Sequence, residues 1–112
     1  MAHTLLAAAA ATGAGNTQKV SGIPSEHTVQ ATMGGTVVAT AVTVDLEGSL
    51  DGTTWFQLAR HAFSAGEISA EGAMFHVQDK PVKYVRANLI TLTGGTAPTV
   101  TVKYEPVLQD RG

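Results

Sequence analysis

The sequence predicts an all-β fold, an antiparallel β-sandwich of jelly-roll type with an apolar N-terminal arm, and three observations carry that prediction. Short segments alternate apolar and polar residues with period two, as strands with one buried face do. Gly-, Pro- and Asp-containing turns separate them at close intervals. Outside one alanine tract, no stretch of useful length carries helical periodicity.

The tract "MAHTLLAAAAATGAG" opens the chain. Its apolar part, Leu5 to Ala11, is too short to cross a bilayer, which takes about 20 residues. It lacks the Lys/Arg-rich start of a secretory signal. Gly13, Gly15 and Asn16 end any helix within two turns. Residues 1–20 are therefore a first strand or an apolar arm, and residues 21–112 the β-sandwich domain. On the arm reading, Leu5 and Leu6 lie on a neighbouring subunit, and removing residues 1–15 leaves the β domain folded.

"HTVQATM" (27–33) supplies the next strand. In "TVVATAVTVDLEGSL" (36–50), Val38, Val42, Val44, Leu46 and Leu50 face one way, and Thr43, Asp45 and Glu47 the other. That run exceeds an average strand, so a bend is expected near Gly48. Asp51-Gly52 is a strong hairpin signal. In the return strand "TWFQLARHAF", Trp55, Phe56 and Leu58 cannot share one face, so one aromatic is expected at an edge or interface. "AMFHVQ" (73–78) is a short strand, ended by the turn Asp79-Lys80-Pro81. "VKYVRANLITL" (82–92) sets Val85, Ala87 and Leu89 on one side. After the loop "TGGTAP", "TVTVKYEP" (99–106) points Val100, Val102 and Tyr104 inward.

At 112 residues the chain has the size of one domain, large enough to form a core without staples. It contains no cysteine, which excludes disulfides and Cys-ligated zinc. Charged residues make up 14% of it, against about 25% in a typical soluble domain. With 7 Lys+Arg against 9 Asp+Glu, it lacks the basic footprint of a nucleic-acid binder. Thr, Ala, Ser and Gly occupy positions where a monomer usually carries charge, which points to a surface covered by other subunits.

Catalytic and metal signatures are missing. None of His3, His27, His61 and His76 stands at a metal-ligand spacing, although His61 and His76 on neighbouring strands could meet Glu67 or Glu71. Asp45, Glu47 and Asp51 cluster along one strand and its turn; two acids at this spacing are read as a solvated face rather than a glycosidase pair or a calcium site. Ser49 lacks a nucleophile-elbow context, and "TGGT" (93–96) lacks the phosphate-binding pattern. The sequence therefore predicts no enzyme and no cofactor.

"GSLDGTTWFQL" followed by "KYVRANL" resembles the S-x-D-G-x-x-W hairpin and later R-Y-V-R strand of discoidin-type, galactose-binding-like domains. Together with the ending "LTLTGGTAPTVTVKYEP", it is similar to short Thr/Gly-rich proteins of phage and prophage structural-gene clusters. The resemblance covers roughly residues 36–106. It implies a virion protein, assembled in the bacterial cytoplasm and found in the particle. The first expectation is a head-decoration (cement) protein that binds the major capsid protein as a homo-oligomer. The alternatives are a small tail or neck component, or a carbohydrate-binding module. No membrane or nucleic acid is an expected partner. Asp51, Gly52, Trp55 and Arg86 form the hairpin and its candidate rim, with Trp55 a core or seam anchor and Arg86 pairing with Asp45 or Glu47 or stacking on Trp55.

Overall fold

The computed structural model describes residues 3–20 and 24–107. Among them the strands are β1 (His3–Ala9), β2 (Gly13–Ala14), β3 (Gln18–Lys19), β4 (Glu26–Gly34), β5 (Ala41–Ser49), β6 (Phe56–Ala62), β7 (Gly72–Val77), β8 (Tyr84–Thr93) and β9 (Thr99–Val107). One short helix, α1 (Ala65–Ser69), joins β6 to β7. One sheet has the order β1-β9-β4-β7; in the other, β2 and β3 flank β8, which pairs with β5, and β5 with β6. Every pairing is antiparallel. The all-β sandwich is thus what forms. β5 and β6 are consecutive partners in one sheet, and most other connections cross between layers.

The core follows the alternation. Val42, Val44 and Leu46 of β5 and Val85, Ala87 and Leu89 of β8 are buried against Val29, Ala31 and Met33 of β4 and Val100, Val102 and Tyr104 of β9. Leu50 departs from its expected inward place and is 64% exposed, because β5 ends at Ser49. The long run breaks at Thr40 rather than near Gly48: Val37 forms an isolated bridge with Thr96, and Thr40 N–H donates to the Thr93 carbonyl. Gly48 stays in the strand, where a Cβ would lie 2.7 Å from Val82 and 2.8 Å from Leu58.

The N-terminal tract is the first strand, and the arm expectation is corrected. Leu5 and Leu6 are both buried in the core of this chain. Two consecutive residues of a regular strand point to opposite faces. Here the register slips between Thr4, opposite Lys103, and Leu6, opposite Val102, so Leu5 is the extra residue of a bulge and both side chains turn inward. Residues 10–20 then cross to the other sheet as a strap. Asn16 N–H donates to the Leu5 carbonyl, Gly15 N–H to that of Ala87 and Val20 N–H to that of Lys83.

At the opposite side of the sandwich, α1 and a ring cluster close the gap between β6 and β7. The alternation did not anticipate this helix. Its start is a capping box: Ser64 Oγ accepts from Glu67 N–H, and Glu67 Oε1 accepts from Ser64 N–H. His61 stacks on Phe75 with ring centroids 5.2 Å apart, meets Phe63 edge-on and lies 2.9 Å from Glu67 Oε1.

His27 is fully buried. Its Nε2 lies 2.8 Å from the Lys80 carbonyl, which can only accept, so Nε2 carries the proton and Nδ1 accepts from the Tyr104 hydroxyl. Burial, with lesser repulsion from His76, lowers the pKa of His27 against the opposing effects of the Lys80 carbonyl and Glu26. The unfolded chain binds a proton at this residue near pH 6.5, and the folded chain only at lower pH. Stability from His27 is therefore complete above about pH 6.5 and falls as pH drops toward the folded value, by up to about 1.4 kcal/mol per pH unit. Urea midpoints at pH 7.5, 6.5 and 5.5 should show the decline, and His27→Gln should flatten it. An unchanged slope in that variant would place the acid sensitivity elsewhere.

Candidate functional site

The hairpin formed by β5, β6 and the loop of residues 50–55 has one polar face and one apolar face. The loop is wired by its own side chains. Ser49 Oγ accepts from the N–H groups of Asp51 (3.2 Å) and Gly52 (2.9 Å) and donates to Asp51 Oδ1 (2.9 Å). Asp51 Oδ1 also accepts from the N–H groups of Thr53 and Thr54, both at 2.9 Å. The Thr54 and Thr53 N–H groups, then the Ser49 hydroxyl, hold the Asp51 carboxyl far below the usual carboxylate range. Gly52 has φ +81°, which a side chain rarely adopts. The S-x-D-G stretch thus builds a longer loop than a two-residue turn, and its polar side chains are spent on the backbone.

On the outer face, Arg86 does two of the things expected of it. Its Nε donates to Glu47 Oε1 at 2.7 Å, and its guanidinium carbon lies 4.4 Å from the centre of the Trp55 ring. Asn88 donates to the other Glu47 oxygen at 3.1 Å. Asp45 pairs instead with Arg60, which donates to both carboxylate oxygens at 2.8 and 3.0 Å. Asp45 is buried, so the expectation of a solvated acidic face is corrected: each of these two carboxylates is held by a fork of donors. Of the two places expected for Trp55, the core is not the one it takes: it is a half-buried ring on the outer face, with Arg86 over it.

The histidines do not converge. His61 turns toward the gap between the sheets, whereas His76 bonds Thr28 on the outer face of β4 and β7 at 3.2 Å. Among the described residues, no group of three or more His, Asp or Glu is placed to hold a metal ion.

The inner face of the hairpin end is the part that sequence reasoning missed. Phe56 pairs with Gly48 and so shares its inward-facing side, yet Phe56 is 67% exposed. Leu50, Phe56, Leu58 and Val82 wall an open cleft of about 390 Å³, with Asp51 and Thr54 at its rim. The hairpin overhangs the core: its inward side continues the apolar face of β5 past the point where the facing sheet covers it. No periodicity marks where that cover stops.

Solved structures that share this architecture include the following two. The SPBc2 prophage-derived protein YomS matches with a TM-score of 0.65 and 15% identity, over 93% of this chain and 88% of that one. The fold is one that prophage-derived proteins use. The PBSX exported protein XepA matches with a TM-score of 0.53 and 18% identity, over 98% of this chain but only 38% of the other. At these identities the likeness establishes the fold. No protein-family model and no curated protein matches the sequence. Neither structural neighbour extends the discoidin-type resemblance. Among the described residues, no helix is long and apolar enough to cross a membrane.

Proposed function

We propose that this chain is a structural protein of a bacteriophage particle, a head-decoration (cement) protein that docks on the major capsid protein as a homo-oligomer. The observation that carries the docking is the overhang: two large apolar side chains, Leu50 and Phe56, stand exposed beside a cleft on a rigid hairpin. Large exposed apolar groups of this kind act as anchors when a partner covers them. The fold shared with prophage-derived proteins supports the phage setting, and the 14% charge content suits a surface that other subunits cover. The docking element is the hairpin tip, since Leu5 and Leu6 are committed to the core. Repetition over a symmetric lattice multiplies a modest contact into firm attachment.

A tail or neck position uses the same tip against a different subunit. A second reading, a carbohydrate-binding module, draws on the aromatic Phe56 and the ionised Asp51 lining one cleft. No catalysis is proposed, because Asp45 and Glu47 are occupied by Arg60, Arg86 and Asn88. Quantitative mass spectrometry of purified particles from the phage encoding this chain tests the assignment. Copies in fixed ratio to the major capsid protein support decoration; a few copies per particle indicate tail or neck. Absence from particles, with saturable binding to a sugar, would favour the module.

A further inference from the structure

The cleft at the hairpin tip carries one charge. Leu50, Phe56, Leu58 and Val82 wall it, and Asp51 at the rim is its ionisable residue. The Asp51 carboxylate is used unevenly. The Ser49 hydroxyl and the N–H groups of Thr53 and Thr54 all donate to Oδ1. Among the described residues, Oδ2 accepts no hydrogen bond, and no Lys, Arg or His forms an ion pair with Asp51. The cations of the hairpin and of β8 are engaged elsewhere, Arg60 by Asp45 and Arg86 by Glu47. Lys83 follows Val82 in the chain and still does not pair with Asp51. Asp51 is exposed, and the Thr54 and Thr53 N–H groups, then the Ser49 hydroxyl, keep it ionised far below the usual carboxylate range. The rim thus presents a fixed negative charge, with one open oxygen, beside an apolar wall.

We infer that the tip takes a cationic segment of its partner, in which a Lys or Arg pairs with Asp51 Oδ2 while its stem and an adjacent apolar side chain fill the cleft. Lys and Arg lay their aliphatic stems along apolar surface and keep the charged head at its edge. The face of an aromatic ring such as Phe56 attracts the same head. A charge-assisted bond at a rim that the partner covers is stronger than an ion pair left in water. The cleft of about 390 Å³ lies at the small end of the about 300–1,000 Å³ typical of ligand sites, so it admits a few side chains and not a folded element. A second copy of the tip does not fit, because a two-fold contact would bring Asp51 close to its own kind.

This pairing rests on docking through the hairpin tip, and the test separates the two. Asp51→Asn removes the charge and keeps the oxygen that accepts from Thr53 and Thr54, so melting should stay close to that of the parent chain. Binding of the full chain to particles that lack it is measured by co-sedimentation at about 50 and about 500 mM NaCl, a range over which exposed charges become screened. The parent chain should bind several-fold more weakly at the higher salt. Asp51→Asn should bind about tenfold more weakly than the parent at the lower salt and lose most of the salt response. Glu71→Gln removes one negative charge in the turn before β7, outside the cleft, and should bind as the parent does. The double variant Leu50→Ser, Phe56→Ser leaves the charge unchanged and should lose binding at both salts. Parental affinity and salt response in Asp51→Asn, with binding lost in the double variant, overturns the cationic segment and leaves the tip as the docking element. Binding that the double variant retains, or a parent chain that does not bind, overturns both.

Discussion

Removal of residues 1–15 is expected to unfold the domain. The deletion takes away β1, β2 and two leucines buried at 0% and 6% exposure. Emptying the site of one buried leucine costs about 2–5 kcal/mol, so two cost about 4–10. A domain of this size has about 5–15 kcal/mol in total. The deletion also strips β9 of its neighbour on one side and leaves its hydrogen-bonding groups unpaired. Circular dichroism of the truncated chain should lose the cooperative melt of the parent. A folded truncated domain with parental melting would mean that the first strand adds nothing, which is the behaviour of an arm.

Replacement of Gly15 by alanine is expected to destabilise the domain by about 2–4 kcal/mol, an unusual cost for one methyl group. A Cβ there would lie 2.0 Å from the Leu5 carbonyl oxygen and 2.6 Å from Leu6 Cδ2. The cost is steric, since backbone atoms cannot rotate aside as a side-chain end can. Moving the strap outward breaks the bond from Gly15 to Ala87 or that from Asn16 to Leu5, both 2.8 Å. Gly66→Ala is the control, because its Cβ would meet only Ser64 Oγ at 3.9 Å and alanine favours helix. Urea midpoints for the two variants should separate widely. Equal midpoints would show that the strap is not packed where Leu5 and Gly15 place it.

The rows of the core were legible because alternation is a local signal: Val42-Val44-Leu46, Val85-Ala87-Leu89 and Val100-Val102-Tyr104 are all buried as the pattern dictates. Leu5 and Leu6 were not, because adjacent leucines read as an unpatterned run until a bulge turns both inward. The helix at Ala65 is too short to show a period, and only its Ser64/Glu67 capping box marked it. The ion pairing of Glu47 with Arg86 and the stacking of Arg86 on Trp55 were expected from residue chemistry. The pairing of Asp45 with Arg60 follows from the register of β5 and β6, which the loop sets and a two-residue turn would have shifted. The overhang was hidden for a different reason. Whether Leu50 and Phe56 are covered depends on how far the other sheet extends, and that is a tertiary quantity.

The docking proposed for this chain runs through the hairpin tip. It is tested most directly by adding purified protein to particles that lack it and measuring the bound fraction by co-sedimentation, with the parent chain beside the double variant Leu50→Asp, Phe56→Asp. Both positions are exposed in the isolated domain, so the variant should fold and melt as the parent does. Docking through the tip requires saturable binding by the parent chain and at least about a hundredfold weaker binding by the variant, the loss of two interface anchors. Equal binding by both proteins would contradict it and move the docking surface away from the tip.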